Sequence, residues 1–153
     1  MHIEEDKQRH ELISHARAGA LAISEAEIRF MVDQFYARVR TDDMLAPLFA
    51  SIGADDWPVH LDKMSDFWSS LLLASGRYKG APMAIHLAMP HLDIVHFERW
   101  LTLFREVVAA VYDEAVARVI IGKAENVARS LHYGIASSQG RFSSWNPSSK
   151  VGS

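Results

Sequence analysis

Four runs of apolar residues recur along the chain at intervals of three and four, and nowhere in its body do apolar and polar residues alternate one by one. A 3.6-residue turn gathers the first pattern onto one face, whereas a half-buried strand requires the second. The expected fold class is therefore all-α, with four main helices and short connectors. Ser24-Glu25-Ala26-Glu27 has the Ser-x-x-Glu spacing of a capping box and opens a helix with the stripe Ile28, Met31, Val32, Phe35, Tyr36 and Val39. Met44 to Phe49, containing Pro47, reads as one helical turn at a corner. Trp57-Pro58 starts the second stripe, His60, Leu61, Met64, Phe67, Trp68, Leu71 and Leu72, because proline is tolerated where the first helical N–H groups need no partner. After the linker Gly76 to Pro82, a brief helix spans Met83 to about Ala88 and is stopped by Pro90. Asp93 is the expected N-cap of the third stripe, Phe97, Trp100, Leu101, Phe104, Val107, Val108 and Val111. The fourth runs from Glu114 to Tyr133 through Val116, Val119, Ile120, Lys123, Val127 and Leu131, and Gly134 is expected to close it.

Composition narrows the function. At 153 residues and 49% apolar content the chain has the make-up of one globular domain, and its net charge of −3 comes with no basic stripe, so nucleic acid is not an expected partner. Cysteine is absent, which removes disulfides, thiolate metal sites, cysteine nucleophiles and covalent haem attachment. Any metal must then be held by histidine, carboxylate or an organic cofactor. The opening MHIEEDKQRHE lacks the apolar run of a signal peptide, and no stretch of 18 apolar residues occurs, so a cytoplasmic protein without a membrane partner is expected. Beyond Gly134 the composition turns to Ser, Gly, Asn and Pro. Three segments are thus read: an N-terminal extension, partly helical, over 1–23; a helical domain over 24–134; and a weakly ordered tail over 135–153.

The apolar stripes carry polar-tipped groups: Tyr36, His60, His86 and Trp100. Singly, each is more often a core residue whose polar tip reaches one partner. Together they fit a different use. His86 lies between Ala81 and Pro90 with no charged residue among Met83, Ile85, Leu87 and Met89, a setting suited to a neutral imidazole holding a ring-bound metal such as haem iron. Tyr36, Trp100 and His60 can donate hydrogen bonds to a small ligand on the opposite face. The series His86, His91, His96 has a five-residue spacing that puts no two on one helix face, and His2, His10, His15 and His132 are expected at the surface.

Six segments agree in order and spacing with a known family. Phe35-Tyr36, Pro47-Leu48-Phe49, Trp57-Pro58-Val59-His60, Phe67-Trp68, Gly76-x-Tyr78-x-Gly80-x-Pro82-x-x-x-His86 and Phe97-x-x-Trp100-Leu101-x-x-Phe104 resemble the truncated haemoglobins of the third group, over Ser24 to Tyr133. The chain also lacks any Gly-Gly pair, a mark of the first two groups. The resemblance implies a shortened globin, two helices on two, around haem b. It implies that His86 is the proximal iron ligand, that Tyr36, His60 and Trp100 are distal ligand-binding residues, and that Trp68 is a tryptophan usual in the distal helix. Haem contact is implied for Phe49, His60, Met64, Phe67, Tyr78, Met83, His86, Phe97 and Trp100.

The function so implied is reversible binding of oxygen, nitric oxide, carbon monoxide or similar small ligands, with a reductase as a further partner if the ligand is turned over. Two alternatives stay open from the residues: a haem enzyme acting on nitric oxide or peroxide, although no carboxylate or arginine joins the proposed pocket as an acid, and a haem-free helical interaction module whose aromatics are only core.

Overall fold

The computed structural model describes residues 22–89 and 92–150, with the backbone alone for 149–150. The extension read over 1–23 lies almost wholly outside the described residues, as do His2, His10, His15, Pro90 and His91. Among the described residues the structure is all-helical: α1 Glu25–Val39, α2 Trp57–Leu73, α3 Pro82–Leu87, α4 Ile94–Val111 and α5 Glu114–Ser138, with 3₁₀ turns at Ala46–Phe49, Ala54–Asp56 and Pro147–Lys150. No described helix is long and apolar enough to cross a membrane. Packing divides the chain into two units, 22–33 with 53–79 and 34–52 with 80–150, and α1 runs from the first into the second.

In the first unit, the capping box forms as the sequence predicts. The Ser24 amide donates to Glu27 Oε1 at 2.9 Å and the Glu27 amide donates to Ser24 Oγ at 3.0 Å, so two N–H groups that the helix leaves over are satisfied reciprocally. Arg29 bridges Asp33 one turn on and Asp62 of α2. Glu25 accepts from buried Ser69 Oγ at 2.8 Å. Along α2, Trp57, Trp68, Ser69 and Leu72 are buried, Trp68 to 2% exposure. The helix ends on Ala74 in the left-handed region, φ 56°, and the chain returns so that the Tyr78 amide donates to Ser70 Oγ at 2.8 Å.

In the second unit, α5 packs against α4, α3 and the last 3₁₀ turn. Asp93 caps α4 by accepting from the Ile94 amide at 2.8 Å, and the His96 ring accepts from the Asp93 amide at 3.1 Å, which gives His96 a structural task. Asp42 accepts from Leu45 N–H and pairs with Arg99, fastening the corner after α1 to α4.

The structure corrects the reading of α5 in three ways. Its buried face holds Ala117, Ile120, Ala124, Ala128, Leu131, His132, Ile135 and Ala136, while Val116, Val119, Lys123 and Val127 are only half-buried. Packing selected small side chains where periodicity had favoured larger ones. Gly134 does not close the helix, which continues to Ser138. A Cβ at Gly134 would stand 2.5 Å from Met83 Cε and Sδ, so this glycine serves the close approach of α3. The stop is Gly140, at φ 72°, with Gly140 N–H donating to Ser137 O and Arg141 N–H to Ala136 O, the paired bonds of a Schellman motif. His132, expected at the surface, is 2% exposed.

Candidate functional site

His86 sits half-buried on α3, a helix of six residues begun by Pro82. Its Nδ1 lies 2.7 Å from the Pro82 carbonyl oxygen. A carbonyl can only accept, so Nδ1 is the donor, and the tautomer that this bond selects is the one whose lone pair lies on Nε2. The bond spans one helical turn and fixes both tautomer and ring orientation, as a metal-ligating imidazole requires. This is the observation that fits the residues present to a haem iron: one imidazole, oriented from behind, on an element without Asp, Glu, Lys or Arg. Met83, one turn's edge away, is half-buried against Gly134 of α5.

Tyr36 and Trp100 are brought together in the second unit by a residue to which the sequence reading gave no role of its own. Phe35, 1% exposed, meets Tyr36 at a ring-centre distance of 5.0 Å, Trp100 at 5.4 Å and Phe104 at 5.3 Å, all edge to face. Trp100 also stacks on Phe104 at 5.2 Å, and Tyr36 meets Phe49 edge-on at 5.9 Å. Burial pushes the Tyr36 phenol well above its ordinary value of 10, so the hydroxyl keeps its proton at neutral pH and remains able to donate. An indole N–H donates and never accepts. The cluster therefore fixes the rings of two donors against apolar neighbours.

Phe97, also in the second unit, is buried, and its ring edge meets His132 and, tilted, Trp145. In the first unit His60 is half-buried on α2 with its ring edge-on to Trp57 at 5.2 Å. Burial first, and the Lys63 charge second, lower its pKa from 6.5, which favours the neutral ring. Met64 and Phe67 follow on the same helix, half-buried, and Phe67 packs edge-on against both Trp68 and Tyr78. The residues that sequence reasoning missed are Phe35 as a hub, the Pro82 carbonyl and buried His132. The Pro82–His86 pair was legible as an i, i+4 spacing. His132 could have been found by continuing the 124, 128, 131, 135 register.

No family model matches the chain. A curated relative, the group 3 truncated hemoglobin ctb of Campylobacter jejuni, is 38% identical over 109 residues, which cover 69% of this chain and 86% of the relative. The crystal structure of a group III truncated hemoglobin from Campylobacter jejuni superposes with a TM-score of 0.71 at 32% identity, covering 76% of this chain and 94% of that one.

Proposed function

The chain belongs to the group III truncated haemoglobins, and from that premise we propose that this haem globin holds haem b through His86 and binds oxygen and related diatomic gases reversibly, with Tyr36 and Trp100 as hydrogen-bond donors to the ligand. The observation that carries the reading is the 2.7 Å contact of His86 Nδ1 with the Pro82 carbonyl, which selects the tautomer with Nε2 as the ligating nitrogen. Held by His86, haem would supply an iron able to bind a diatomic molecule.

The chain's own residues do the rest. Pro82 holds the imidazole in one tautomer and raises its basicity as a ligand. Tyr36 stays protonated because burial opposes the phenolate, and Trp100 presents an N–H in every protonation state. A hydrogen bond to a charged acceptor is worth about 1.5–3 kcal/mol, equivalent to a roughly 10- to 150-fold slowing of ligand escape per donor. Such slow release suits scavenging or redox chemistry better than transport. His60, whose ring burial favours in the neutral form, is a third donor, a gate or a ligand to the sixth position. We carry haem contact over from the resemblance to Phe49, Met64, Phe67, Tyr78, Met83 and Phe97 as part of the same proposal.

Absorption spectra of the ferric, ferrous and carbon monoxide forms test the reading. A Soret band is expected, with His86→Ala losing haem, and Tyr36→Phe and Trp100→Phe each speeding oxygen dissociation by about 10-fold or more. A His86→Ala protein that keeps a five-coordinate histidine spectrum would refute the proximal role, and unchanged dissociation in both other variants would refute the distal one.

A further inference from the structure

The segment after Gly140 folds back along α5 and is fastened at three points. Ser143 Oγ lies 3.1 Å from His132 Nδ1, the Trp145 indole N–H donates to Glu98 Oε2 at 3.3 Å, and Ser148 Oγ donates to Glu125 Oε1 at 3.1 Å. The first two attachments meet at His132. Its ring lies 5.2 Å from that of Trp145 and 5.8 Å from that of Phe97, both near-perpendicular. Its Nε2 is buried and has no hydrogen-bond partner among the described residues. We propose that residues 141–148 form an acid-released clamp, in which protonation of His132 detaches the segment from α4 and α5 while the helices stay folded.

The physical argument rests on Nε2. The Ser143 hydroxyl accepts as well as it donates, so that bond survives protonation. A second N–H in an aromatic enclosure has no acceptor, and the charge it brings is desolvated. The charged groups facing the ring do not offset this. Asp93 at the start of α4 attracts the proton, but burial dominates it and Arg141 of the segment itself repels. Glu98 on α4 is engaged by the Trp145 indole, Arg129 stands one turn earlier on α5 and pairs with Asn126, and His86 is the titratable residue of α3. Burial thus holds His132 below the ordinary histidine value of 6.5, so the closed state prefers the neutral ring and the opened state, where water solvates both nitrogens, binds the proton. Opening the segment breaks the hydrogen bonds of Ser143, Trp145 and Ser148 and the Trp145 ring contacts with Phe97 and His132, whereas unfolding α4 and α5 exposes a core, so the local route is the easier one. Between 6.5 and the depressed native value, the ratio of open to closed segment rises about tenfold per unit fall in pH.

The inference stands on the polypeptide and does not depend on haem. Its test is 19F NMR of the full chain labelled with 5-fluorotryptophan, with the Trp145 signal assigned through Trp145→Phe. On titration from about pH 8 to about pH 5, the Trp145 resonance is expected to move to the position of solvated indole with a midpoint below 6.5, while Trp57, Trp68 and Trp100 hold theirs. In His132→Gln, and in His132→Phe, which keeps a ring in the stack, the movement should be lost. A wild-type Trp145 signal that stays fixed across the range overturns the clamp, as does concerted movement of all four signals or an unchanged transition in either variant.

Discussion

Phe35→Leu isolates what one ring does for two proposed donors without touching either. Leucine preserves a buried apolar side chain at a site that is 1% exposed, but it forfeits the edge-to-face contacts with Tyr36, Trp100 and Phe104, at 5.0, 5.4 and 5.3 Å. Each such pair contributes about 0.5–1.5 kcal/mol beyond its area, which bounds the loss at roughly 1.5–4.5 kcal/mol for three pairs. For a chain of this size one kcal/mol corresponds to about 2–4 °C in Tm, so a fall of roughly 3–18 °C is expected. Circular-dichroism melts and urea midpoints measure it, with Phe142→Leu as a control because that ring is 89% exposed and should change stability by less than about 0.5 kcal/mol. Under the proposed function the same variant should also speed oxygen dissociation, since Tyr36 and Trp100 lose the ring that fixes their geometry. A Phe35→Leu protein indistinguishable from the Phe142→Leu control in both measurements would show that the cluster does not hold the donors.

Two other positions give independent tests. Gly134→Ala should stay within about 1 kcal/mol of wild type, because the flexible end of Met83 can swing aside and alanine is the better helix former; Gly134→Leu should lose about 1–3 kcal/mol by overpacking and weaken haem retention by displacing α3. Equal melting curves and haem content for both variants would remove the close approach from the account. Asp42 is held below its ordinary value of 3.8 first by the Arg99 hydrogen bond, and also by the Leu45 and Met44 amides. Its stabilisation is therefore present above that value and lost as pH falls through the lower folded one. Asp42→Asn should flatten the acid limb of urea stability between about pH 5 and pH 2, and parallel limbs for the two proteins would refute the assignment.

Belonging to the group III truncated haemoglobins was legible because the signature is carried by short segments in order, and each segment is read within a turn or two of helix. The Ser24–Glu27 box, the Asp93 cap and the helix start at Trp57-Pro58 are all settled within four residues, so the sequence alone determines them. Tertiary structure decided the rest. Gly134 and Gly140 are equivalent stop signals in one dimension, and the approach of Met83, distant in the chain, makes one a packing site, while the other, at positive φ, ends the helix. His132 looked like a surface histidine until Phe97 and Trp145 closed over it. Phe35 acquired its role from Trp100 and Phe104 on another helix. Local hydrogen bonding selects helices and their ends, whereas which ring meets which depends on the pairing of whole helix faces, and that pairing is settled by close packing between residues distant in the chain.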